Sequence, residues 1–211
     1  MKHTLLLLTL LISISLGLMA DEKAKAILDK VSENTKSKTS ITADFEFIME
    51  NIAAGIKESN NGNIIIQNDK YKLSISGIEI MSNGVSMWTY MPDAGEVSIS
   101  DANNFEDDIN PATIFTIYEH GFDYTFLGEA QRGNKRIFKI DLVPTVEREF
   151  SRVVLDIDQS NYQLVGAVMY GIDGNRYLID ILNYTTDKNY ANSTFSFDSS
   201  KNPDVTVIDM R

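Results

Sequence analysis

Apolar positions in this chain follow three successive patterns. From Leu5 to Leu18 nearly every residue is apolar or a small hydroxyl. From Glu22 to about Lys38 the apolar residues are Ala24, Ile27, Leu28 and Val31, the spacing of one helical face. From Ile41 the period falls to two: Ile41, Ala43, Phe45, Phe47 and Met49 alternate with Thr42, Asp44, Glu46 and Glu50. That alternation predicts a strand with one wet face. Short strands of the same kind are predicted at 63–67, 70–76, 79–82, 85–91, 96–100, 122–127, 136–143, 152–158, 163–170, 175–182, 194–197 and 205–208. Asn83-Gly84, Asp93-Ala94-Gly95, Gly133-Asn134 and Asp173-Gly174 separate them as turns. Turns this closely spaced mean hairpins in sequence order, hence an antiparallel meander rather than a βαβ fold.

A second helix is predicted inside the meander. Asn110 can cap it, Pro111 suits its first turn, and Ile114, Phe115, Ile117 and Tyr118 give it a broad apolar face. His120 falls in its last turn and Gly121 at its stop. The fold class is therefore mainly β (α+β): one large antiparallel sheet with two helices. A sheet this wide must curl, and its concave face needs apolar cover that only the two helices can supply. An open face under a removable cover and a closed barrel with plugged ends both satisfy the pattern.

The opening run changes the reading of the first twenty residues. Lys2 and His3 precede it, and Met19, Ala20 and the charged Asp21 follow. It is too short to span about 30 Å of hydrocarbon as a helix. A basic start, a short apolar stretch and a small residue before polar chain form a secretory signal, cleaved after Ala20. The domain plan is thus a leader over 1–20 and one exported domain over 21–211.

Composition narrows the chemistry. The 211 residues carry 19 Lys and Arg against 30 Asp and Glu, a net charge of -11. Such a surface repels phosphate backbones and anionic headgroups, which excludes nucleic acid as a partner. Cysteine is absent, which excludes disulfides, thiolate nucleophiles and Cys zinc sites. His120 is the one histidine after the leader, so catalysis of the Ser-His-Asp type would hang on it alone, and no G-x-S-x-G elbow is present. The acidic stretch from Asp101 to Asp108 lacks the central Gly and closing Glu of a calcium loop. Asp156 and Asp158 lie two apart on a predicted strand, as chance pairs do in a chain this acidic. No catalytic residue, metal ligand or cofactor is expected, and the chain is not read as an enzyme.

Residues 82–92, Ser-Asn-Gly-Val-Ser-Met-Trp-Thr-Tyr-Met-Pro, resemble a signature of the bacterial outer-membrane lipoprotein carriers, the LolA family. There an Asn-Gly or Asp-Gly hairpin turn leads into a strand carrying Trp-x-Tyr and then a Pro turn. The layout agrees in order: a leader, the helix with Ile27-Leu28-Asp29-Lys30-Val31, then Thr42-Ala43-Asp44-Phe45, Gly62-Asn63-Ile64 and Lys70-Tyr71-Lys72-Leu73. Asn110-Pro111 follows the Trp strand, and Phe195-Ser196-Phe197 precedes Asp204-Val205 near the end.

The resemblance implies an open half-barrel with a lid helix over its concave face, acting as a monomeric periplasmic chaperone. Such a carrier takes triacylated lipoproteins from an inner-membrane ABC transporter and passes them to an outer-membrane acceptor. Phe45, Phe47, Tyr71, Leu73, Ile75, Trp88 and Tyr90 are expected on the concave face, and Ile114, Phe115, Ile117 and Tyr118 on the lid. The family pattern also has a basic residue, usually Arg, before the third strand, where it holds the lid. Here the loop is Gln67-Asn68-Asp69-Lys70, so Lys70 is the candidate latch. A lipid or glycolipid shuttle, or an envelope-stress sensor on the same half-barrel, is the alternative.

Overall fold

Because Ala24, Ile27, Leu28 and Val31 repeat at helical spacing, residues 21–36 form helix α1 and bury all four side chains. The computed structural model describes residues 21–102, 115 and 117–211. The leader, the acidic stretch from 103 onward and the first half of the expected second helix lie outside these residues. Among the described residues no helix is long and apolar enough to cross a membrane.

The alternating segments form twelve strands: β1 (Ile41–Asn51), β2 (Ile56–Gln67), β3 (Lys70–Ile75), β4 (Ile78–Ser82), β5 (Ser86–Met91), β6 (Glu96–Asp101), β7 (Phe122–Arg132), β8 (Lys135–Pro144), β9 (Phe150–Asp158), β10 (Leu164–Gly171), β11 (Arg176–Thr186) and β12 (Thr206–Asp209). They make one open, curved sheet in the order β12-β6-β5-β4-β3-β2-β1-β11-β10-β9-β8-β7. The two meanders, β1–β6 and β7–β11, meet where β1 pairs antiparallel with β11, Ile41 opposite Thr186. All neighbours are antiparallel except β12, which runs parallel to β6.

We call the face carrying α1 the inner face. The four buried α1 residues join one apolar cluster with Ile41, Ala43 and Phe45 of β1, Ile140 and Leu142 of β8, Val153, Leu155 and Ile157 of β9, and Ile179 of β11. Polar contacts fix the helix over this half of the sheet. Asp21 accepts from Thr125, Lys23 sits 3.9 Å from the Phe126 ring centroid, and Asn34 donates to the carbonyl of Asn161.

One expectation about elements is corrected. The strand expected at 194–197 is instead a 3-10 turn, Asn192–Phe195, followed by extended chain. Phe195 is fully buried against the outer face rather than paired in the sheet. Of the expected second helix, the described part is one 3-10 turn, Ile117–Glu119, and Gly121 takes a positive φ of 79° at the expected stop.

Candidate functional site

The register of β1 to β5 decides which expected site residues share a face. Phe45 stands opposite Gly62 and Phe47 opposite Asn60, while Gly62 stands opposite Ile75 and Ile64 opposite Leu73. Residues directly opposite one another point to the same side of a sheet, so Phe45, Phe47, Tyr71, Leu73 and Ile75 all lie on the inner face. Phe45 and Leu73 are buried in the cluster beneath α1; Phe47 and Ile75, with Ile66 and Ile80, are half-buried and pack against it. The Tyr71 hydroxyl donates to Met87 Sδ at 3.4 Å.

Gly62 allows close packing on this face. A Cβ there would overlap the Phe45 ring, which lies flat over the glycine from the neighbouring strand. A bare backbone beneath an aromatic ring is a recurrent way of filling a sheet position.

Trp88 and Tyr90 lie on the other face, which corrects the expected grouping. Leu73 pairs with Ile80 and Ile80 with Thr89, while Trp88 pairs with Met81 and Ile99, and Tyr90 with Val97. The chain after β11 packs on this outer face. The Tyr90 and Phe197 rings are 5.0 Å apart, Tyr190 Oη and Thr42 Oγ1 share a 2.5 Å hydrogen bond, and the Tyr190 N–H donates to Gln67. Lys70, the candidate latch, also faces outward and donates to Asn192 Oδ1 at 2.9 Å. It ties down this outer strap.

Of the expected lid residues, Ile114 lies outside the described residues. Phe115 and Tyr118 are buried in the inner cluster and Ile117 packs against it. The Phe115 ring lies 6.2 Å from that of Tyr184 on β11. Glu119 fastens the turn to α1 by accepting from Ser32 at 2.8 Å and pairing with Lys36 at 2.9 Å. Burial acts to raise the Glu119 pKa, but the Lys36 and Ser32 hydrogen bonds outweigh it and hold the carboxyl below the ordinary glutamate value. Tyr118 Oη is buried without a hydrogen-bond partner, and burial, then the neighbouring Glu119 charge, push its pKa well up. Burial likewise raises Tyr184 to about 12.

The same face continues across the other meander, where Phe122, Tyr124, Phe126, Phe138, Ile179, Ile181 and Tyr184 join or border the cluster. They were not among the expected site residues, although their alternation carries the same signal. On the outer face, Asp156 is held by Arg132 and Lys139, and Asp158 by Lys135 at 3.3 Å and by Ser160. The carboxylate pair is thus bound up in ion pairs. Among the described residues no group of three His, Cys, Asp or Glu side chains is placed to hold a metal ion.

The sequence model of the outer membrane lipoprotein carrier protein LolA matches residues 15–171, well over half of the chain. The chain belongs to the LolA family. A solved structure agrees in fold: an uncharacterized conserved protein from Thermus thermophilus superposes with a TM-score of 0.62 at 13% identity, covering 89% of this chain and 99% of its own. A LolA superfamily protein from Nitrosomonas europaea (TM-score 0.45, 13% identity, 82% of this chain and 97% of its own) is also similar. So is LprF from Mycobacterium bovis (0.48, 16%, 80% and 97%). No curated protein matches the chain. LolA membership makes binding, rather than bond-making, the family's business, in keeping with an inner face built of apolar side chains and glycine.

Proposed function

We propose that this LolA-family chain is a periplasmic carrier that shields lipoprotein acyl chains on its inner face. After removal of residues 1–20 it would receive triacylated lipoproteins from an inner-membrane ABC transporter and deliver them to an outer-membrane acceptor, as a monomer. One observation carries the reading: beyond α1 the inner-face apolar rows run on through β1 to β4, with Phe47, Ile66, Ile75 and Ile80 only half-buried. An acyl chain laid there would meet hydrocarbon on every strand. The segment with Phe115, Ile117 and Tyr118 is the candidate cover on that side.

Energetics favour such a partly covered face. Three acyl chains hold about 45 methylenes, worth roughly 36 kcal/mol if fully buried at ~0.8 kcal/mol each. Non-covalent affinities saturate near about 20 kcal/mol, so a carrier realising the gross figure would never let go. Apolar surface already buried in the empty protein offsets much of that gain, because loading must uncover it first.

The test is native mass spectrometry with lipid extraction on protein purified from its own periplasm. A co-purifying triacylated protein is expected, lost in Ile75→Asp and Ile117→Asp and kept in Trp88→Ala, whose side chain is on the outer face. A free lipid in its place would support a lipid shuttle, and an empty protein would refute the carrier reading.

A further inference from the structure

Five of the six arginines are matched with carboxylates: Arg132 with Asp156 and Asp180, Arg136 with Glu129, Arg152 with Asp141, Arg176 with Glu50 and Arg211 with Asp209. Arg148, between β8 and β9, is the exception. Among the described residues it forms no ion pair, even with its sequence neighbours Glu147 and Glu149, and its Nε is buried without an acceptor. In a chain of net charge -11 an unmatched guanidinium is conspicuous. Buried donors are nearly always satisfied, so an orphan one calls for an explanation.

The surroundings are built around this group. Its Cζ lies 5.3 Å from the Phe122 ring centroid and 5.9 Å from that of Phe150. Those rings stack 6.1 Å apart and belong to the inner-face cluster. A Cβ on Gly121 would come within 3.3 Å of Nη2, so a glycine leaves room beside the guanidinium. Backbone hydrogen bonds from Thr145 to Gly121 and from Ile172 to Glu149, both 3.0 Å, anchor the chain on either side. A guanidinium over aromatic faces makes its hydrogen bonds in its own plane, the geometry that a planar bidentate anion matches.

We propose that Arg148 is a headgroup site: it binds the carboxylate of an acyl-chain ligand whose hydrocarbon lies along the inner face from Phe122 and Phe150. The inference rests on the acyl-chain reading above in that the inner face takes hydrocarbon; its ligand is a free fatty acid, because the ester- and amide-linked chains of a triacylated lipoprotein carry no carboxylate. A small free anion would be repelled by the acidic surface. An anionic amphiphile has its hydrocarbon to hold it, and its carboxylate supplies the acceptor that the buried Nε lacks.

The probes are cis-parinaric acid and its methyl ester, which fluoresce on entering an apolar site and differ only in charge at the head. The wild-type protein is expected to bind the acid about tenfold or more tighter than the ester, the scale of one charged hydrogen-bonding pair. Arg148→Gln should erase that preference, and Arg148→Lys should keep part of it. Equal binding of acid and ester by the wild type overturns the headgroup site and leaves the acyl-chain reading intact. Failure to bind either probe overturns both. Displacement of the acid, but not the ester, by excess acetate would assign Arg148 to free carboxylates and overturn its role in lipid recognition.

Discussion

Gly62 and Phe45 settle how closely β1 and β2 fill the inner face. Their opposition is direct, and the ring occupies the space a side chain at 62 would need. Gly62→Ala should therefore push a buried Phe off its seat and cost about 2 kcal/mol of stability, the usual scale of overpacking. Urea denaturation checks it, and an unchanged midpoint would show that the ring moves freely. Phe45→Leu in the same background should recover part of the loss, because the smaller side chain vacates the clash.

The 117–119 turn is tied to α1 through a titratable group, which makes that junction sensitive to acid. Glu119 has a folded-state pKa below its unfolded value of about 4.5. Its contribution to stability is thus present in full above that value and lost as the pH falls through the folded one. Wild-type protein should lose stability through this acid window, whereas Glu119→Gln should start less stable at neutral pH and lose less below it. Chemical denaturation at neutral pH and at about pH 3 separates the two. The sequence made α1, most strands and the turn glycines legible, because each depends on local periodicity. The first half of β2, Ile56 to Asn61, was missed because its residues are almost all polar and exposed, with no alternation to read. The face of Trp88 was missed for a different reason. In β5 both sides are apolar, Met87 and Met91 on one and Trp88 and Tyr90 on the other, since the strap packs on the outer side. The parity of the β4–β5 connection, with Ser82 opposite Met87, then decides the outcome, and a one-residue slip reverses it. Arg148 was missed because Phe122, which belongs to β7, meets it only in the folded chain.

Across the whole molecule, both ends of the described chain act as covers: α1 lies on the inner face, and the strap after β11 lies on the outer. The free edge at β7 is interrupted by a bulge at Phe126 and Gly128, a feature that discourages edge-to-edge pairing with another sheet. Among the described residues the strands of the two meanders pair with each other through β1 and β11. A chain stopped after Gly171 contains the strands of both meanders up to β10, yet leaves Ile41, Ala43 and Phe45 without their partner strand. Such a chain should be cleaved throughout by limiting protease, while the full-length protein resists. The central pairing also sets a clock. Ile41 is made 145 residues before the Thr186 it pairs with (186 minus 41). At about 5 to 20 residues per second, synthesis leaves β1 waiting roughly 7 to 30 s for that partner. Through that interval β1 has β2 on one side and nothing on the other, so the sheet stays incomplete until nearly all of the chain has been made.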